Sequence, residues 1–329
     1  MTSLLTVPVE RTATTLASGF LQEAAQACDQ LERGDDKQAL HDFRVGLRRL
    51  RSTLRAYKPY VGKHFGKPIY RDIKRLAGST GAARDSEVQL AWLGQCGKRI
   101  EPEDRAGFEY VCGRVRRRMD YEYQRLHASL PMRFEAARRQ IDDRLRHPPH
   151  ESHISYAEAG GRLIDQCAGT IYRYLEHFRQ SGDETAAHRA RLAVKQLRYL
   201  AEPLCRELDS AAELVTGSKK MQDLLGDIHD AYVFAHELID AGGNLAAEGM
   251  RVELQTVLRL ANGASPPALQ NGNGPIGGLM AVAGQLQIHR EGLLETLMTR
   301  LADGSIAESL DRARNLAWDL THYVEVPLK

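Results

Sequence analysis

The sequence predicts an all-α protein, and three observations carry that prediction. Apolar residues recur at spacings of three and four through nearly every stretch longer than about twelve residues. Ala, Leu, Arg, Glu and Gln dominate those stretches, and alternating runs of Val, Ile and Thr are missing. The periodicity places helices at residues 10–33, 36–58, 66–80, 84–99, 103–127, 131–146, 155–180, 184–208, 211–225, 229–241, 246–261, 276–302 and 305–323.

Taken in chain order, the 36–58 helix puts Phe43, Leu47, Leu50 and Leu54 on one side, at about 180° to 240° of the helical wheel, which is a core-facing surface. Gly81 is expected to end the 66–80 helix. Asp85 suits the first turn of the next, where a carboxylate meets unpaired backbone N–H groups. The paired prolines of Arg146–His153 (RHPPHESH) forbid a continuous helix and split the chain almost in half. In the 184–208 helix Ala190, Val194, Leu197 and Ala201 form the corresponding apolar side. Gly226 is expected to end the 211–225 helix and Asp230 to open the 229–241 helix, and Asn262–Gly278, rich in Gly, Pro and Asn, reads as a long loop. At roughly 150 residues per domain, 329 residues amount to two domains or one large one, and 43% apolar residues suffice for a core.

Composition excludes several classes. Lys plus Arg number 45 against 43 Asp plus Glu, a net charge of +2, so any site for a polyanion must arise from local patterning. The five cysteines, Cys28, Cys96, Cys112, Cys167 and Cys205, contain no C-x-x-C pair, which predicts buried or idle thiols in a reducing compartment. No apolar run reaches the roughly 20 residues of a membrane span, and Met1–Glu10 lacks the pattern of a secretory signal, so a cytoplasmic location without membrane partners is expected.

An internal repeat carries the functional argument. His41-Asp-Phe-Arg44-Val-Gly-Leu-Arg48-Arg-Leu-Arg51 recurs as His188-Arg-Ala-Arg191-Leu-Ala-Val-Lys195-Gln-Leu-Arg198. In both, histidine is followed by basic residues at +3, +7 and +10, a pattern this composition yields by chance about 0.03 times per chain. At about 100° per residue the four side chains fall within an arc of about 80°, a basic stripe along one helix face. Arg55 extends the first stripe to about 21 Å. A second element follows each stripe: Lys74-Arg75 with Gly81 and Arg84-Asp85 aligns with Lys219-Lys220 with Gly226 and His229-Asp230. Helix-start amides beside Arg84 or His229 would make a reasonable phosphate contact.

Ordinary surface faces mix signs, yet residues 41–75 hold 11 Lys plus Arg against two acids, Asp42 and Asp72. Such one-sided charge costs stability unless an anion relieves it, so the stripes are read as anion sites. His41 and His188 could become cationic beside a polyanion and donate from both ring nitrogens. Contact with the ligand, or support of the surface that holds it, is the favoured reading, and a purely structural role stays open as the alternative. His41-Asp42 is no metal pair, because adjacent helix positions point about 100° apart and no further His/Asp set completes a site. Asp85 and Asp230 read as helix caps or as partners of nearby Arg and His, and the Arg114–Arg118 cluster as mostly solvated.

These residues resemble the CHAD domain, the conserved histidine α-helical domain: His41, Arg44, Arg48 and Arg51 with Arg84-Asp85 in the first half, and His188, Arg191, Lys195, Arg198-Tyr199 with Gln222–Asp230 in the second. The resemblance spans most of the chain. It implies an all-α fold of two pseudosymmetric antiparallel helical bundles, residues 1–147 and 154–329, together forming one domain with a central basic groove or pore. It also implies a binding module for long-chain inorganic polyphosphate and not a catalyst. On that reading no catalytic residue, metal or cofactor is expected, the protein is expected to associate with polyphosphate granules, and Tyr199 reads as a residue of the groove edge. Two features depart from the pattern: Gln196 stands where a basic residue is expected, and the Asn262–Gly278 stretch has no counterpart.

An RNA-binding or general polyanion-binding protein is the alternative, since phosphate contacts alone do not distinguish polyanions. Against it, the stripes carry no interleaved aromatics for base stacking, and aromatics are 6% of the chain. An enzyme acting on polyphosphate would need a metal-binding carboxylate cluster, which the sequence does not show. Glu101-Pro-Glu103-Asp-Arg105 approaches the E-x-E-x-K strand motif of the triphosphate-tunnel enzyme domains that often accompany the family this chain resembles, but it lies at an expected helix start.

Overall fold

The computed structural model describes residues 3–33, 36–147, 149–259 and 275–323. Ten α-helices order these residues: α1 (Val9–Glu32), α2 (Asp36–Ala56), α3 (Lys58–Ser79), α4 (Gly81–Cys96), α5 (Arg105–Arg146), α6 (Tyr156–Ser181), α7 (Glu184–Ala201), α8 (Asp209–Arg259), α9 (Pro275–Ala302) and α10 (Ser305–Thr321). Among the described residues there is no strand, only a single antiparallel bridge between Pro8 and Ser155.

Helix ends follow their local chemistry. Ser155 caps α6 by accepting from the Glu158 N–H at 3.1 Å, Gly182 (φ 68°) closes it, and Asp183 caps α7 through the Thr185 N–H. Several breaks expected from the sequence are absent. The 211–225, 229–241 and 246–261 segments form one helix, α8, so Gly226 ends nothing and Asp230 is no cap. A mid-helix glycine costs about 1 kcal/mol, and the unbroken run of buried Met221, Leu224, Leu225, Ile228 and Ala231 around it outweighs that. Likewise 103–127 and 131–146 merge into α5 despite Pro131. Asp85 lies beyond the first turn of α4. The 58–79 element bends at Gly66, whose φ of 69° lies outside the helical region, ahead of Pro68. The Asn262–Gly278 loop falls outside the described residues as far as 274, and its last four residues already belong to α9.

The chain forms two compact units, and they cut across the sequence halves 1–147 and 154–329. The first takes Met1–Gly81, Tyr123–Gly226 and Thr296–Lys329, and the second Ala82–Glu122 and Asp227–Glu295. In the first unit α1 packs on α2, α6 on α7 and on α10, and α2 meets both α3 and α7. The apolar side of α2 is its core: Phe43, Leu47, Leu50 and Leu54 are all buried, and Phe43 meets Phe134 edge-on at 5.1 Å. Ala190, Val194, Leu197 and Ala201 of α7 are buried in the same way. Gly46 lets α1 and α2 touch, since a Cβ there would stand 2.9 Å from the Ala24 backbone nitrogen. The starts of α1 and α6 are tied by Val9 N–H to Ile154 O (3.0 Å) and Tyr156 N–H to Val7 O (2.8 Å).

The second unit packs α4, the first part of α5, the later part of α8 and α9 around Leu93, Phe108, Val111, Phe234, Leu238 and Val282. Here Arg114 and Arg118, two of the cationic cluster read as mostly solvated, pair with Glu237 at 2.9 and 2.5 Å.

Candidate functional site

The apolar sides of α2 and α7 bury themselves, and helical geometry then obliges the opposite sides, which carry the stripes, to face away from the core. The two helices meet at Tyr199. The Arg48 guanidinium lies 5.7 Å from its ring centroid and that of Arg198 4.8 Å. One carboxylate serves this junction: Glu202 takes Arg198 Nε at 3.1 Å and Arg49 Nε at 3.2 Å, joining α7 to α2. Arg48 Nε and the Tyr199 hydroxyl are buried with no hydrogen-bond partner.

Beside the junction the first unit opens into a cleft of about 800 Å³. Its polar lining comes from α2 (Arg51, Arg55), α3 (Lys58, Tyr70, Lys74), α6 (Gln166) and α7 (Gln196), with no carboxylate among the lining residues. Burial first, and then repulsion from Arg55 and Arg48, pulls the Arg51 guanidinium below its ordinary value. On α7, burial and the charges of Arg191 and Lys195 pull the half-buried His188 imidazole down. In both, burial is the larger cause and neighbouring positive charge the second.

The sequence-expected residues divide. Arg51, Arg55 and Lys74 line the cleft, and Arg48, Arg198 and Tyr199 meet at the junction. His188, Arg191 and Lys195 act on one another along α7. Arg44 is turned to structural work: it donates through Nη1 to the Thr80 carbonyl and, at 3.0 Å, to its hydroxyl. Arg125 donates to Ser79 O at 3.2 Å, so two arginines satisfy carbonyls at the end of α3. His41 is exposed at the outer end of its stripe, Lys219 and Lys220 are exposed on α8, and Arg75 is exposed 3.8 Å from Asp72. Arg84 pairs with Glu87 at 3.1 Å, and both it and His229 belong to the second unit. Lys58, Gln166 and Gln196 line the site although the repeat does not single them out. Lys58 is visible in the sequence as a neighbour of the one-sided cations, whereas Gln166 lies on a helix with no repeated motif. Gln196, a departure from the basic pattern, lines the cleft as a neutral donor.

Four of the five cysteines are buried and all are free, and burial pushes Cys28 and Cys167 up to about 12 and Cys96 to about 11. Among the described residues no group of three or more His, Cys, Asp or Glu is placed to hold a metal ion, and no helix is long and apolar enough to cross a membrane.

Comparisons with known proteins match this helical fold. A family model described as CHAD domain covers residues 16–239. The chain belongs to the CHAD domain family. Two uncharacterized proteins of Mycobacterium tuberculosis, from strains CDC 1551 / Oshkosh and ATCC 25618 / H37Rv, are each 28% identical over 226 residues, which is 64% of this chain and 42% of the relative. The matched stretch therefore spans less than half the length of these relatives. The crystal structure of the CHAD domain from the plant Ricinus communis aligns with a TM-score of 0.56 at 20% identity, covering 95% of this chain and 92% of that one. PptA from Streptomyces chartreusis aligns with a TM-score of 0.59 at 13% identity, covering 95% and 100%. Identities this low bear on the fold alone. They agree with an all-helical CHAD architecture.

Proposed function

We propose that this CHAD domain is a binding module for long-chain inorganic polyphosphate, held along the stripes of α2 and α7 and in the cleft beside them. The observation that carries the reading is the cleft lining: Arg51, Arg55, Lys58 and Lys74 converge from two helices with no carboxylate among them. A flexible chain of phosphates suits this set, since arginine forks bind pairs of oxygens and lysines add point charge. The glutamines Gln166 and Gln196 add neutral donors. Affinity comes mainly from charge and released counterions, with a log–log salt slope near about −0.7 per neutralised phosphate if the chain behaves like a single-stranded nucleic acid. The module works in the cytoplasm, associated with polyphosphate granules, and does no chemistry on its ligand.

RNA is the competing ligand. The aromatic residue of the cleft, Tyr70, donates its hydroxyl to Leu54 O at 2.9 Å and lies 5.7 Å from the Lys58 ammonium, so its ring is already engaged. That disfavours base stacking. The test is binding of labelled long-chain polyphosphate at about 0.15 M salt, where charges beyond about 8 Å are screened, with RNA in excess. Retained tight binding is expected, and displacement by RNA at equal phosphate concentration would reduce the module to a general polyanion binder. Phosphate release on adding Mg²⁺ or Mn²⁺ would overturn the non-catalytic reading.

A further inference from the structure

The second unit holds a cleft of about 510 Å³ between α4 and the start of α5, which the polyphosphate reading does not use and whose size is that of a small-molecule site. Its floor is apolar, from the half-buried Leu90 and the nearly buried Phe108 and Cys112, and its rim is cationic, from Lys98, Arg105 and Arg116. No carboxylate lines it. On α4 the exposed Gly94 also borders the cleft, and a Cβ there would meet nothing within 4 Å, so packing does not require a glycine. Glycine is a poorer helix former than alanine, and the side chain it omits leaves room in the cleft.

The cations are set against this floor. A Cβ at Gly97 would stand 2.7 Å from the Phe108 ring, so the ring lies directly on the end of α4. The Arg105 guanidinium is 5.4 Å from the centroid of that ring and donates to Gly97 O at 3.1 Å, which fixes it beside the floor. Arg116 follows Cys112 by one turn of α5, and helical side chains lean toward the N-terminus, which directs its stem over the thiol. Burial raises the Cys112 thiol, and the charges of Arg116 and Arg105 act against that rise, as groups near the floor would. Arg105 shares its charge with the exposed Glu109 at 3.6 Å. Lys98 reaches Gln95 Oε1 at 3.4 Å, and among the described residues neither Lys98 nor Arg116 has an ion pair.

A rim of three cations disfavours an amine, and a neutral apolar molecule leaves their charge uncompensated. A bare inorganic anion gains nothing from Leu90, Phe108 and the aliphatic stems of the long cations. We infer that this cleft binds a free medium-chain carboxylate, its head on the rim cations and its chain along the apolar floor. The head accepts charge-assisted hydrogen bonds from ammonium and guanidinium groups. The chain is removed from water against Leu90, Phe108 and the stem of Arg105, in the space that Gly94 leaves open. Because every lining residue lies in the second unit, the site stands or falls independently of polyphosphate binding.

Isothermal titration of the full chain with sodium octanoate is expected to give saturable binding. Sodium acetate, which has the head alone, and octyltrimethylammonium chloride, which has the chain with the opposite charge, should give none. Saturating polyphosphate should leave the octanoate affinity unchanged, and its loss would assign the carboxylate to the cations of the first unit and overturn the inference. Gly94→Leu places a side chain in the open space of the cleft and should weaken octanoate binding at least tenfold without lowering the unfolding temperature, since leucine favours helix. Arg116→Gln should weaken it at least fivefold and supplies the test should the leucine variant fail to fold. No saturable binding, equal binding of either control, or undiminished affinity in both variants would overturn the assignment.

Discussion

Arg48 and Arg198 approach a single aromatic ring, that of Tyr199, from two different helices, at 5.7 and 4.8 Å from its centroid. Arg48 belongs to the first copy of the repeat and Arg198 to the second, so the ring is where the two stripes join. Cation–π contacts of this kind contribute about 0.5–1 kcal/mol at exposed sites and more when desolvated, which offsets part of the repulsion between the arginines. Tyr199→Phe keeps the ring and removes a buried hydroxyl that has no partner. Thermal unfolding should show unchanged or slightly raised stability, by up to about 1 kcal/mol, with polyphosphate affinity retained. Tyr199→Ala should cost about 3–5 kcal/mol, as loss of a large buried aromatic does. A destabilised phenylalanine variant would mean that the hydroxyl is satisfied after all.

The cleft arginines and Arg44 should separate cleanly by experiment. Burial, and then repulsion from Arg55 and Arg48, disfavours the Arg51 charge, so Arg51→Ala should leave stability unchanged or improved. It should weaken polyphosphate binding and flatten the salt dependence by about 0.7 in slope for each phosphate that is no longer neutralised. Arg44→Ala instead strips a donor from the end of α3 and should lower stability by about 1–2 kcal/mol in denaturant titrations. A variant replacing Arg44, Arg48 and Arg51 together therefore mixes two effects, and equal stability of the two single variants would contradict this division.

Two opposite pH dependences follow from His188, whose imidazole is held below its ordinary value by burial and then by Arg191 and Lys195. A bound polyanion offsets those two cations and makes the imidazolium easier to form, so binding takes up protons and tightens as pH falls from about 7.5 to about 6. In the free protein the unfolded chain, with histidine near about 6.5, binds the proton more readily than the fold does. The stability contributed by neutral His188 is therefore complete above about pH 6.5 and is lost as pH falls through the lower folded value. Unfolding midpoints should drop on that acid side without polyphosphate and drop less with it. His188→Gln should remove this share of both trends, and an unaltered pH profile of affinity would take His188 out of the binding account.

The helical class, the buried sides of α2 and α7 and the stripes opposite them are legible in the sequence because each depends on periodicity within one helix. Phe43, Leu47, Leu50 and Leu54 can be assigned to the core without knowing what they touch. The misreadings share a different cause. Gly226 and Pro131 are strong local breakers, yet both sit inside long helices, because packing on either side outweighs a penalty of about 1–3 kcal/mol. The composition of the cleft is only half legible. Arg51, Arg55 and Lys74 announce themselves by charge, whereas Gln166 and Gln196 become site residues only once α6 and α7 stand beside α2. Arg44 shows the converse: it keeps the phase of the stripe, but the end of α3 takes up its guanidinium.

Glu202 offers the sharpest contrast between stability and affinity. It is the carboxylate at the α2–α7 junction, with 22% of its side chain exposed, and it holds Arg49 and Arg198 at 3.2 and 3.1 Å. Glu202→Gln keeps the shape and one acceptor oxygen but removes a negative charge next to the stripes. Arg198 then loses its carboxylate and Arg49 keeps only Glu23, at 3.4 Å, which should destabilise the fold by about 1–3 kcal/mol, the range for charge-assisted hydrogen bonds. The same change raises the positive potential that an incoming polyanion meets, so affinity should rise several-fold at low salt and the gain should shrink as salt is added. Isothermal titration at two salt concentrations together with thermal unfolding reads both effects in one variant. Weaker binding by Glu202→Gln would show that the carboxylate acts by holding Arg198 in place for the ligand and not by tempering the charge of the stripes.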